Sequence, residues 1–149
     1  MKQNLGTRGR PSVLAATACA LLLAPLVALG EEATFKVSLS GPEASGDPNG
    51  RGEATVTLNP ETNEVGVRLT YSNIAEPTAM HIRVGPTGLV GNVIVPIVIE
   101  SDDGGTLVGR RLSAKPGVVE MILASPEEHY LVVINDEYPV GALRGQLTN

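Results

Sequence analysis

The chain has 149 residues, with 11 Lys and Arg against 16 Asp and Glu, one Cys, one Phe, three Tyr and no Trp. An acidic balance excludes nucleic acid as a partner, since binding it needs basic side chains to displace counterions. So few aromatic rings exclude base-stacking surfaces and sugar platforms built on rings.

Residues 1–30 have the three-part pattern of a secretory signal peptide. Lys2, Arg8 and Arg10 make a basic start with no acid before Glu31, and the apolar run Val13–Leu29 is broken only by Thr17 and Pro25. Ala28-Leu29-Gly30 then offers small residues at the −3 and −1 positions of a cleavage site. An uncleaved anchor is the alternative, but Pro25 interrupts the run, whose 17 residues sit at the short end of a bilayer span. Ala16-Thr17-Ala18 before Cys19 lacks the Leu usual in a lipoprotein box. The expected contact with the membrane is therefore transient, through the signal alone. The product is exported, to the periplasm or outside the cell.

Cleavage after Gly30 leaves residues 31–149, a length that fits one domain with one real core. The only Cys leaves with the signal, so no disulfide, thiol nucleophile or thiolate metal site remains. Eight basic residues then face 16 acidic ones, a net charge of −8. This suits a solvated acidic surface, or a cationic partner such as a metal ion.

The remaining elements read as strands. Phe35, Val37 and Leu39 alternate with Lys36, Ser38 and Ser40 in the first. The breakers Gly41-Pro42 and Gly46-Asp47-Pro48-Asn49-Gly50 follow. Arg51–Asn59 and Glu64–Ser72 both alternate and are joined by a short polar loop, which predicts a hairpin. Ala79–Gly85 is next. Val93–Ile99 is apolar except at Pro96, which predicts a strand buried on both sides, with an edge or bulge at the proline. Asp102-Asp103-Gly104-Gly105 is a turn and Thr106–Leu112 a further strand. Val118–Ala124 is ambiguous, since Val118, Met121 and Ile122 also fit a short helical turn. His129–Asn135 and Gly141–Leu147 complete the chain. Strands about ten residues apart predict an all-β, antiparallel, Greek-key-like sandwich or partly closed barrel of about 7–9 strands.

Six segments in order carry a resemblance to a known family. They are Phe35–Ala44, Gly50–Leu58, Asn63–Ile74, Ala79-Met80-His81-Ile82-Arg83-Val84-Gly85, Val90–Ile97, and the closing part made of His129–Asp136 with Tyr138–Leu147. Together they resemble a CHRD (chordin-type) domain over most of residues 33–147. The Gly-x-x-Arg-Gly-Gln-Leu at the close is the most specific piece. The resemblance implies an antiparallel β-sandwich and a non-enzymatic role, of the single-domain exported bacterial type. Members of this family often carry His-Ile-His where this chain has His81-Ile82-Arg83, and Asn-x-His-Thr where it has Val133-Ile134-Asn135-Asp136. Both second histidines are missing here.

Two polar residues stand out inside apolar stretches, His81 and Arg144. Residues two apart on a strand share a face, so a His-x-His pair can hold one ion. Here Arg83 takes the second position, cannot ligate, and opposes a cation. The metal alternative is thus a zinc or copper site on His81 and His129 with Asp136 or Glu137. Otherwise His81 is a partly buried, hydrogen-bonded histidine. Arg144 is either an anion contact or a structural clamp, bridging carbonyls or pairing with Asp136 or Glu137. Gly141 and Gly145 suggest close backbone approach beside it. Arg83 and Asn135 join Arg144 and Gly145 as structural or ligand-contact candidates.

Enzyme chemistry has no constellation to rest on. Ser101 and Ser125 lack a nucleophile elbow, and the adjacent pairs Asp102-Asp103 and Glu127-Glu128 suit solvated turns better than acid–base work. Asp102-Asp103-Gly104 lacks the ligand spacing of a helix–loop–helix calcium site. The reading is an exported binding or structural module with no cofactor and a protein partner in the envelope or outside the cell.

Overall fold

The computed structural model describes residues 30–148. The segment read as a signal peptide, up to Leu29 and with Cys19 in it, lies outside the described residues. Eight strands form: β1 (Ala33–Ser40), β2 (Arg51–Asn59), β3 (Glu64–Ser72), β4 (Ala79–Val84), β5 (Val93–Asp102), β6 (Thr106–Arg111), β7 (His129–Ile134) and β8 (Leu143–Gln146). All their pairings are antiparallel, and they close into one barrel in the order β1-β2-β3-β6-β5-β4-β7-β8. The β3-to-β4 and β6-to-β7 connections skip neighbours, which gives the Greek-key path. Closure leaves no exposed sheet edge. No helix among the described residues is long and apolar enough to cross a membrane.

Period two along each strand sends alternate residues inward. Phe35, Val37 and Leu39 of β1, Ala54, Val56 and Leu58 of β2, and Val65, Val67 and Leu69 of β3 are all buried in one core. Met80, Ile82, Leu107, Leu131, Val133 and Leu143 complete it from the other strands. The ambiguous segment Val118–Ala124 is a helix, α2, after the short turn α1 (Gly41–Ala44). Its spacing puts Val119 and Ile122 on one face, and both join the core. The Ala114 amide donates to the Asn63 carbonyl, so the segment leading into α2 crosses the barrel end that carries the β2–β3 hairpin.

The hairpin Arg51–Asn59 and Glu64–Ser72 forms with those bounds. Three expectations change. Val93–Ile99 is not buried on both sides: Val95 and Ile97 point into the core, while Val93 and Val98 are 43% and 61% exposed. A barrel wall has one covered face, and nothing packs outside this part of it. Pro96 is at no edge, because β5 lies between β4 and β6. It pairs with His81, ahead of the point where β5 meets β6 at Val98, and the registers shift at Ile82/Arg83 and Ile99/Ser101. The strand also runs on to Asp102, where a turn was expected.

That extension brings Asp102 to Tyr71 at the end of β3. The phenol donates to the carboxylate, 2.8 Å from either oxygen. Burial, the hydrogen bond and the negative charge of Asp102 push the Tyr71 hydroxyl up to about 12. A folded value above the unfolded one of about 10 means the contribution is present below that pH. It is lost as pH rises through about 12. Thermal melts on the alkaline side should therefore fall less steeply for Tyr71→Phe than for the wild type. Equal slopes would show that Tyr71 ionisation is not coupled to folding.

Candidate functional site

The outer faces of β4, β7 and β8 form the most polar buried region of the barrel wall. Alternation puts Ala79, His81 and Arg83 outward on β4, Tyr130, Val132 and Ile134 on β7, and Arg144 and Gln146 on β8. Register then makes two rows across the wall. His81 faces Val132, which faces Arg144; Arg83 faces Tyr130, which faces Gln146.

Arg144 is only 3% exposed. Its Nη1 donates to the Leu89 carbonyl at 2.6 Å and its Nη2 to the Pro86 carbonyl at 2.7 Å. The guanidinium lies 3.5 Å above the centroid of the Tyr130 ring. Among the described residues it forms no ion pair. Carbonyl dipoles and the negative face of the ring take the place of a carboxylate. Gln146 Nε2 reaches the same loop, donating to the Gly85 carbonyl at 2.9 Å and to that of Glu127 at 2.6 Å.

The residues held in this way form the β4–β5 loop, Gly85–Asn92. Its other bonds complete the attachment: Gly91 N–H to the Tyr130 hydroxyl at 3.0 Å, Gly85 N–H to the Glu128 carbonyl at 2.7 Å, and Val84 N–H to the Asn92 carbonyl at 3.1 Å. The loop folds back over the outside of the barrel. Gly88 turns it with φ +86°, a conformation that glycine adopts without strain. Beyond the anchored backbone, Leu89 and Val90 point outward, 62% and 67% exposed.

Asn135 is buried and holds a second loop pair. Its Nδ2 donates to the Ala75 carbonyl at 3.2 Å, and its Oδ1 accepts the Tyr138 N–H at 2.8 Å. It thereby ties the β3–β4 crossover to the β7–β8 loop. Gly145 lies on the inner side of β8 where that strand meets β1. A Cβ there would run into the Ser38 carbonyl oxygen and come 2.7 Å from Val37 Cγ1.

His81 is half-buried, and its Nδ1 is buried without a hydrogen-bond partner. Burial lowers its pKa, and the charge of Arg83 lowers it further. Arg83 Nε is likewise buried and unbonded. His129 is 2% exposed, with Nδ1 2.8 Å from the Ser125 carbonyl. Because His81 registers with Val132, three residues from His129, the two histidines occupy opposite faces of the wall. Asp136 is exposed in the loop beyond β7, four residues past Val132. The structure thus does not bring His81, His129 and Asp136 together. Among the described residues no group of three His, Cys, Asp or Glu side chains is placed to hold a metal ion.

The sequence reading missed Tyr130 and Gln146 as parts of this region. A period-two step from Arg144 reaches Gln146, and Tyr130 is the lone aromatic of the His129–Asn135 strand, so both had a signal.

Neither a curated protein nor a solved structure matches the chain. The model of the CHRD domain matches residues 35–147, from the first strand to the residue after the last. Domains of this kind are typically extracellular or secreted. The chain therefore belongs to the CHRD domain family.

Proposed function

We propose that the protein is a non-enzymatic binding module of the periplasm or extracellular space, and that it docks a protein partner through the Gly85–Asn92 loop. The observation that carries this reading is the pairing of a wholly buried Arg144 with an exposed apolar tip. Desolvating a guanidinium is costly, and here its two Nη groups serve the backbone of one loop while its Nε is buried and unbonded. The loop so fixed presents Leu89 and Val90 to solvent. A pre-ordered apolar tip loses little conformational freedom on binding. Covering each of the two side chains contributes about 1.5–3 kcal/mol.

The test is affinity capture from envelope and culture fractions with wild-type protein and the double variant Leu89→Asp/Val90→Asp. The wild type should retain a partner that the variant loses by at least about tenfold, or roughly 1.4 kcal/mol, at an unchanged melting temperature. Equal capture by both proteins, or none by the wild type, would overturn the reading.

A further inference from the structure

The outer face of β4 has a feature that the loop does not use. Arg83 makes no hydrogen bond and no ion pair among the described residues, although its Nε is buried. Two residues away on the same face, the buried Nδ1 of His81 also lacks a partner. Buried polar atoms are ordinarily satisfied, so two orphans side by side on one strand mark a place where a partner group is missing. The cross-strand neighbours cannot supply it. His81 faces Pro96 and Val132, and Arg83 faces Val93 and Tyr130, none of which is an acid. A second cation, Arg144, lies over the Tyr130 ring with its Nη donors directed at loop carbonyls. The outcome is a cationic patch with no ion pair among the described residues, on a domain whose residues 31–149 carry a net charge of −8.

We infer that His81 and Arg83 form a binding site for a carboxylate group on the outer face of β4. A planar carboxylate matches the guanidinium fork, which presents two parallel N–H donors. Strand geometry sets the imidazole about 7 Å along the same face, so its Nδ1–H can reach the second oxygen once a ligand lies between them. One fixed positive charge beside an imidazole disposed to stay neutral suits a monoanion better than a dianionic phosphate. The carboxylate is either free in solution or carried by a protein, as an Asp or Glu side chain or a chain end. Arg83 registers with Val93, the first residue after the docking loop, so a protein-borne carboxylate there would lie at the foot of the loop that carries Leu89 and Val90. The acetate arm of the test below does not depend on the docking reading; only the peptide arm rests on it.

The experiment is an NMR titration of the arginine Nε–H resonances of the full domain. Sodium acetate is compared with sodium chloride at equal ionic strength. The Arg83 resonance, assigned through its loss in Arg83→Gln, should shift saturably with acetate and not with chloride. His81→Leu should weaken the acetate response at least threefold while leaving the fold intact by its amide spectrum. A linear shift, or the same shift with chloride, overturns the site, and so does an unchanged response in His81→Leu. The second arm repeats the titration with the blocked dipeptide acetyl-Leu-Asp-amide. Binding at least about tenfold tighter than acetate, lost on Leu89→Asp/Val90→Asp while acetate binding persists, assigns the carboxylate to a protein. Equal binding of both probes assigns it to free anions and leaves the docking loop unsupported by this route.

Discussion

Arg144→Met should lower stability by about 3–6 kcal/mol, because two hydrogen bonds from a charged donor are lost at about 1.5–3 kcal/mol each. The variant keeps most of the side-chain volume over Tyr130, so the loss reports the bonds to Pro86 and Leu89 together with the charge over the ring. Those two carbonyls lose their partner on a surface packed against the barrel wall. For a domain of this length the melting temperature should fall by roughly 10–20 °C. The barrel core contains no part of the guanidinium, so the amide signals of β1–β3 should persist while those of Gly85–Asn92 broaden. Limited proteolysis supplies an independent measurement, with new cleavage confined to this loop. A melting temperature within about 3 °C of wild type would show that the bonds hold the loop no better than water does.

Gly145→Ala should cost about 3 kcal/mol or more, at the upper end for overpacking, since the obstacle is backbone rather than a mobile side chain. The new methyl would meet the Ser38 carbonyl and stand 2.7 Å from Val37 Cγ1. The β1–β8 seam is short, with Ser40 and Arg144 as its register pair, so it has little other pairing to resist displacement. Denaturant unfolding should show a lower midpoint, and hydrogen exchange should speed up first along β1 and β8. An unchanged midpoint would mean that the two strands are free to move apart, contrary to a closed barrel.

Much of the fold was legible in local pattern. The bounds of β2 and β3 follow from unbroken alternation on both sides of a Pro-Glu-Thr-Asn turn, which ties register to turn chemistry. Strand signals about ten residues apart pointed to an antiparallel all-β fold. The apolar run Val93–Ile99 misled because hydrophobicity alone does not say whether a wall has one covered face or two. The β-branched residues there satisfy strand preference while Val93 and Val98 face solvent.

The region around β4, β7 and β8 was legible in its residues and not in its connections. Strand periodicity alone says that His81 and Arg83 share a face, that Arg144 sits inside an apolar strand, and that Gly145 implies a close approach. What these residues meet depends on the packing of strands far apart in the chain. Arg144 reaches carbonyls 55 and 58 residues earlier in the chain, and backbone carbonyls carry no side-chain signature to betray them. The β4–β7 register set His81 and His129 on opposite sides of the wall, and a shift of one residue would have reversed that. Alternation is a local property of the backbone and can be read along one strand. Register and closure are relations between strands far apart in sequence, and they are settled only when the whole core packs.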